Sequence, residues 1–406
     1  MIRIEKVHLY VEKYDRTRQE LLLDFVKEDE FIYFKFRGDY TVNMHLSADE
    51  YEPTMLLIHG CAPKKTTLYH GSVLILNMDS LMKMNNERDS NINQYSFDRP
   101  ATVFLEIQDG EYLAELIDDP DRSSVSMYIS KKLFSHLESS WVGNPCALKY
   151  LEETFEVSVW DVGQGNTNCI SDERNLTIFD FGSSFYYSHN KQNMILDAHW
   201  DFINKHERVS LIISHWDIDH YNLLCAVPDT FLQNLCCVFY PSLGIGLTMI
   251  QVAERIKRNC SFRNAINAPQ KTSRNCGIVK VSEGKNYALF TGENSNNKNH
   301  SGLMLSVFNN NATAFLTADH SNYQIWDRLY RSINTTTNTL HVVIPHHGAH
   351  CGNTPIPHGI HPGVAAISVG SNMYGHPKSK TISTYRKAGF NLMRTDWYGQ
   401  DIVIKM

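Results

Sequence analysis

Residues 155–406 carry the pattern of an α/β domain, and residues 1–150 that of a mostly-β one. Two features separate them. In the second part, short apolar runs alternate with polar loops and helical stretches. Fourteen of the nineteen histidines also fall there, several of them just past the ends of those runs. Loops on a rigid scaffold are where binding and catalytic groups concentrate. With ~100–200 residues per domain, 406 residues imply two or three domains and a core that needs no staples.

In the first part, alternation predicts strands over Ile2–Val11 and Phe31–Phe36, with shorter ones at Met55–His59, Ser72–Leu76, Thr102–Ile107 and Tyr112–Ile117. Met82–Arg99 is polar and rich in asparagine and reads as a loop; Lys131–Ser139 reads as a helix. His45, His59 and His70 lack ligand-like spacing, so residues 1–150 are expected to recognise or dock a protein partner rather than catalyse. In the second part, strands are expected at Phe155–Val159, Leu176–Phe179, Val209–Ile213, Val238–Tyr240, Met304–Phe308, Ala314–Leu316, Val342–Ile344, Ala365–Val369 and Ile402–Ile404.

A net charge of −6 excludes a wholly basic nucleic-acid binder, though not a local basic patch. Nine cysteines, an odd number without a CxxC pair, give no disulfide framework and point to reduced thiols. The N-terminus lacks the apolar core of a secretory signal, and no apolar run approaches the ~18–20 residues that span a bilayer. The expectation is a cytoplasmic protein with no membrane partner.

The densest chemistry is Ser214-His215-Trp216-Asp217-Ile218-Asp219-His220, directly after the apolar run Val209–Ile213. Two imidazoles and two carboxylates in one turn are costly to bury together, and a divalent cation relieves that cost because neutral His and ionised Asp both ligate it. Asp319 follows Ala314–Leu316, and His346-His347-Gly348 follows Val342–Ile344. His376 stands in Tyr374-Gly375-His376-Pro377, where Pro377 restrains the loop. Adjacent histidines at a strand end point in different directions, so either His346 or His347 faces a metal; His346 is favoured. His350, His358 and His361 crowd the same loop.

Seven pieces in order resemble the metallo-β-lactamase superfamily, and within it the soluble hydrolase domain of ComEC/Rec2-type DNA-uptake proteins and their stand-alone relatives. They are Trp160-Asp161-Val162-Gly163-Gln164-Gly165, Ile178-Phe179-Asp180-Phe181-Gly182, Ser214–His220, Phe315-Leu316-Thr317-Ala318-Asp319, Ile344-Pro345-His346-His347-Gly348, Ser368-Val369-Gly370-Ser371-Asn372 with the Tyr374–Pro377 stretch, and Arg394-Thr395-Asp396. The resemblance covers about 155–406. It implies an αββα sandwich with a metal site at one edge of its two sheets. It also implies ligands among His215, Asp217, Asp219, His220, Asp319, His346 and His376, with Asp319 bridging two metals. Asp219, His347 and His350 are the expected catalytic groups, and Asp180 a brace for the metal loop.

Three departures stand out. Asp217 fills the slot of a second histidine, which adds oxygen and favours manganese over zinc. Asn166 replaces the acid that usually follows Gly-Gln-Gly. No histidine clearly precedes the Asp319 strand, although His300 lies near the right place. One or two divalent ions, manganese or zinc, are therefore expected. A metal lowers the pKa of bound water from about 15.7 to about 7, which supplies hydroxide at neutral pH. The resemblance thus implies a metal-dependent hydrolase, foremost a phosphodiesterase or nuclease. Alternatives are hydrolysis of a small phosphoester, nucleotide signal or peptide, including as a partner-activated component of bacterial antiphage defence, and a non-enzymatic scaffold. Arg255, Lys257, Arg258, Arg263, Lys271, Arg274, Lys280 and Lys285, against Glu283 alone, form a basic segment able to contact nucleic-acid phosphates.

Overall fold

A computed structural model describes residues 6–25, 33–36, 40–43, 55–65, 68, 72–77, 103–107, 111–118, 125–128, 135–136 and 146–150, and every later residue except 245, 270–276, 294–297, 334–337 and 371–374. The chain forms two compact units. One is Met1–Ser135 with Gly244–Arg255; the other is His136–Leu243 with Ile256–Met406.

The first unit is built on a six-stranded sheet in the order Val103–Ile107, Met55–Ile58, Glu20–Phe25, Lys6–Asp15, Val73–Asn77, Val125–Tyr128. Its central hairpin buries Leu9, Val11, Leu21 and Leu23. Tyr112–Ile117, expected as a strand, lies in a helix, Glu111–Asp118. Leu113, Ala114, Leu116 and Ile117 are buried while Glu111 and Glu115 are exposed, a spacing that marks one helical face rather than one face of a strand. In Lys131–Ser139, Ser135–His136 is extended, not helical; the rest of that stretch, and Met82–Arg99, lie outside the described residues.

The second unit is a sandwich of two seven-stranded mixed sheets. One runs Arg263–Ile266, Leu235–Pro241, Arg208–Ile212, Asn175–Phe181, Thr167–Ser171, Glu156–Val159, Ile402–Lys405. The other runs Ile278–Glu283, Tyr287–Gly292, Leu303–Phe308, Ala312–Leu316, Thr339–Val343, His361–Ile367, Asn391–Arg394. Each sheet is antiparallel at one end and parallel at the other. Alternation assigns the faces. Ala314, Leu316, Val343 and Ala366 point inward to meet Val157, Ile170, Phe179 and Ile212 of the facing sheet. Their neighbours Phe315, Val342, Ala365 and Ile367 point outward. That outer face is covered by the helical segments Tyr323–Leu329 and Ser379–Lys387, through Ile325, Trp326, Leu329 and Tyr385. The first sheet carries the helix His189–Asn204, which buries Ile195, Leu196 and Ile203. This is the αββα sandwich that the motif order implied.

Cysteine chemistry departs from the expectation of reduced thiols throughout. Cys236 is disulfide-bonded, whereas Cys61, Cys169, Cys225, Cys237, Cys260 and Cys351 are free. Among the described residues, no helix is long and apolar enough to cross a membrane.

Candidate metal centre

The parallel strands end at one edge, and their loops converge there. Ile213 leads from the strand Arg208–Ile212 into Ser214–Asp217 and the short helix Ile218–Tyr221, which holds Asp219 and His220. Two close approaches fix this turn. The Asn166 amide donates to the Asp219 carbonyl (2.9 Å). A Cβ at Gly182 would lie 2.1 Å from the same oxygen, so only glycine lets the strand end come this near. Asp180, Ala318, His346 and His347 all take positive φ (62°, 45°, 50° and 52°). Such strain in non-glycine residues persists where surrounding structure enforces it.

The side chains meet around Asp319. One of its oxygens, Oδ1, is 3.4 Å from His220 Nε2; Oδ2 is 3.7 Å from His215 Nε2 and 3.5 Å from His346 Nε2. Asp217 Oδ2 is 3.3 Å from His215 Nε2, and Asp219 Oδ2 is 3.6 Å from His347 Nε2. His376 joins at the rim, its ring 5.7 Å from that of His346. Eight of the nine expected site residues are thus brought together. His350 is not: it is exposed and has no hydrogen bond or ion pair among the described residues. His358 and His361 are exposed as well.

The imidazoles are held from behind. Nδ1 of His220 donates to Asp180 Oδ2 (2.8 Å), and Nδ1 of His215 to Ser214 Oγ (2.9 Å), whose hydroxyl donates to the same Asp180 oxygen (2.8 Å). Nδ1 of His347 donates to the Ser368 carbonyl (2.8 Å). With the protons on Nδ1, a tautomer inferred from these partners, the Nε2 lone pairs face the carboxylates. The Nε2 atoms of His215, His220 and His347 are buried without a hydrogen-bond partner. Buried polar atoms left so are rare and costly.

A cation fits this arrangement. Four ligands at ~2.0–2.2 Å in a tetrahedron stand about 3.3–3.6 Å apart, close to the 3.3–3.7 Å separations between Nε2 and carboxylate oxygens here. Two ligand sets qualify by proximity: His215, His220 and Asp319; and Asp219, His220 and His347. Electrostatics agree. Burial alone would raise the Asp319 carboxyl, but His346, His220 and His215 hold it far below the usual carboxylate range. Burial would lower His220, yet Asp180 and Asp319 raise it well above its ordinary value. A proton on Nε2 therefore stands where a cation would, and the two compete. His376 is pushed down to about 3 by burial, with His346 and His347 adding to the effect. His320 is likewise pushed down to about 3, by burial first; its Nδ1 donates to Thr317 O (3.0 Å).

Two of the three sequence departures acquire local reasons. Asn166 Nδ2 donates to Asp180 Oδ2 (2.7 Å), where an acid would set two carboxylates against each other. Near the Asp319 strand the Asn299 side chain reaches the site, donating to Asp319 Oδ2 (3.3 Å). Asn299, Ser214 and Ser368 went unmarked as functional in the sequence.

No family model matches the chain, and no curated protein does. Solved structures do. Tm1679, a metal-dependent hydrolase of the β-lactamase superfamily, shares 11% identity over 62% of this chain and 99% of its own, at a TM-score of 0.36. The short form of human tRNase Z shares 11% over 46% and 76%, at 0.29. YhfI from Bacillus subtilis, a metallo-β-lactamase-fold protein, shares 10% over 63% and 100%, at 0.32. Such likeness carries nothing about chemistry. What the structure itself shows is a two-sheet sandwich with the expected His and Asp side chains gathered at one edge.

Proposed function

We propose that this domain is a metal-dependent hydrolase acting on phosphodiesters of DNA or RNA. The observation that carries the hydrolase reading is the set of three buried, unpartnered Nε2 atoms facing Asp319 and Asp219. In this reading His215 and Asp319, with Asp217 and His346 beside them, would hold one divalent cation, and Asp219 and His347 a second, with His220 within reach of both sets. When bound, the metal supplies an acidified water and positive charge against the phosphate oxygens. Asp180 and Ser214 keep two imidazoles aimed, and the Ser368 carbonyl aims the third. His346, half-exposed, and His376 at the rim face the substrate side.

The nuclease part rests on the resemblance to ComEC/Rec2-type domains and on the oxygen-rich donor set, since hard oxygen ligands suit the cations that handle phosphates. The basic segment contributes less than its composition implied. Lys280 pairs with Glu283 and Lys285 with Glu153, while Lys271 and Arg274 lie outside the described residues. Lys257 and Arg258 are exposed on the last turn of the helix Leu247–Asn259.

The test is elemental analysis of the purified protein followed by assays with manganese or zinc on plasmid, single-stranded DNA, RNA and a small phosphodiester. At least one transition metal per chain is expected, lost in a variant combining Asp219→Ala and His220→Ala. Unchanged metal in that variant sinks the site. Cleavage of the small ester alone would leave a small-molecule hydrolase.

A further inference from the structure

The second sheet places an aromatic residue on the same edge as the metal centre. The strands Thr339–Val343, His361–Ile367 and Asn391–Arg394 are parallel neighbours in that order, so their C-terminal ends are adjacent. His346 and His347 follow the first, Ser368 the second and Trp397 the third. At ~4.8 Å between strands, the third end is about 10 Å from the first. Thr395 fixes the connection: its buried hydroxyl accepts from Val369 N (3.0 Å) and donates to Val369 O (2.8 Å). The preceding Ser368 carbonyl takes the His347 Nδ1 proton.

We propose that Trp397, with Arg386 beside it and the exposed Lys387 next in the chain, is a stacking platform for single-stranded nucleic acid entering the metal centre; this deepens the nuclease reading and rests on it. Trp397 is 48% exposed, whereas Trp160 and Trp326 of the same unit are buried in the core. The Arg394 guanidinium backs the ring at 4.7 Å and is itself held by Asp396, Nε to Oδ1 at 2.9 Å. That pair neutralises Asp396 and leaves the ring without a competing free acid on its own turn. Arg386 stands 6.0 Å from the ring centroid. Arg386 and Lys387 are exposed, and neither makes an ion pair among the described residues. An exposed π face flanked by cations suits a base and its phosphates, because every base offers a stacking face whatever its sequence. In a duplex those faces are already stacked, so a single strand is the ligand.

Binding and cleavage are read separately. Metal-stripped protein, its fold checked by circular dichroism, is titrated with labelled 20-residue oligonucleotides as single-stranded DNA, single-stranded RNA and duplex. Single strands should bind best. Trp397→Ala should weaken them about tenfold or more, and Trp397→Phe should retain most of the affinity. Combining Arg386→Gln with Lys387→Gln should flatten the slope of log affinity against log salt by about 1.4, at ~0.7 per lost contact. Hydrolysis of a small phosphodiester by metal-loaded Trp397→Ala should match wild type. Equal single-strand affinity for wild type and Trp397→Ala, or a preference for duplex, overturns the platform. Were strand binding to depend on Trp397 while wild type cleaved no nucleic acid, the platform would stand and the nuclease reading would fail.

Discussion

Asp180 accepts four hydrogen bonds: from Ser214 N (2.6 Å), Ser214 Oγ, Asn166 Nδ2 and His220 Nδ1. That fills the roughly four lone-pair sites of a carboxylate. One side chain thereby orients two imidazoles, His220 directly and His215 through Ser214. Asp180→Asn keeps the shape but replaces one oxygen with a donor, which cannot accept from His220 and Asn166 together. Metal affinity should fall about 10–100-fold, as for other groups that orient a ligand; competition against a chelator measures it. Unchanged affinity would mean that His215 and His220 need no brace. Asp217→His should shift the preferred metal from manganese towards zinc, because it exchanges oxygen for imidazole. Equal metal ranking in both proteins would remove Asp217 from the ligand set. At this scale the sequence exposed the candidate ligands, since His and Asp clustered after apolar runs have few other uses. It hid Asn299 and Ser368, whose partners lie 20 and 21 residues away and are set by the fold.

Strands were legible where both faces are buried, because a continuous apolar run survives any register. Val209–Ile213 and Val342–Ile344 match Arg208–Ile212 and Thr339–Val343 within a few residues. Thr167–Ser171 was not, although every residue in it is buried, since three of its five side chains are polar and satisfied only by neighbours. A tie between elements was hidden in the same way. His199, on the helix His189–Asn204, stacks on Trp160 (3.7 Å between ring centroids). It places Nδ1 2.7 Å from Ile195 O and Nε2 2.9 Å from Asp401, beside the last strand. Both nitrogens face acceptors, so the ring is held as a cation. Burial alone would lower its pKa, but Asp401 and the Ile195 carbonyl raise it. A raised folded pKa means that the stability is complete below the unfolded value near 6.5 and is lost as pH rises through the folded one. The tie should contribute about 1 kcal/mol, given its partial exposure. Urea midpoints of wild type and Asp401→Asn should therefore differ at pH 6 and converge at pH 9. A gap independent of pH would show that His199 is neutral throughout.

At the scale of the whole molecule, sequence order and packing diverge. Composition suggested a boundary near residue 150, yet Gly244–Arg255, flanked on both sides by the sandwich in sequence, packs with the N-terminal unit. Asp24, itself buried, accepts from Thr248 N (3.1 Å) and Thr248 Oγ1 (3.3 Å), so a strand of that unit caps the first turn of the helix Leu247–Asn259. A Cβ at Gly246 would lie 2.1 Å from Asp24 Oδ2, which accounts for glycine there. Met249, Ile250, Val252 and Ala253 are each no more than 3% exposed. Expression of residues 136–406 alone should therefore uncover an apolar helical stretch and give aggregating protein, whereas the full chain stays monodisperse by light scattering. Asp24→Ala offers a milder version in the intact chain. It removes the cap, at about 1–2 kcal/mol, and should lower the unfolding midpoint by a few degrees. Bound metal should be unaffected, because Asp24 touches none of the ligands. A truncated chain as soluble and stable as the full one would mean that Gly244–Arg255 needs no cover from the N-terminal unit.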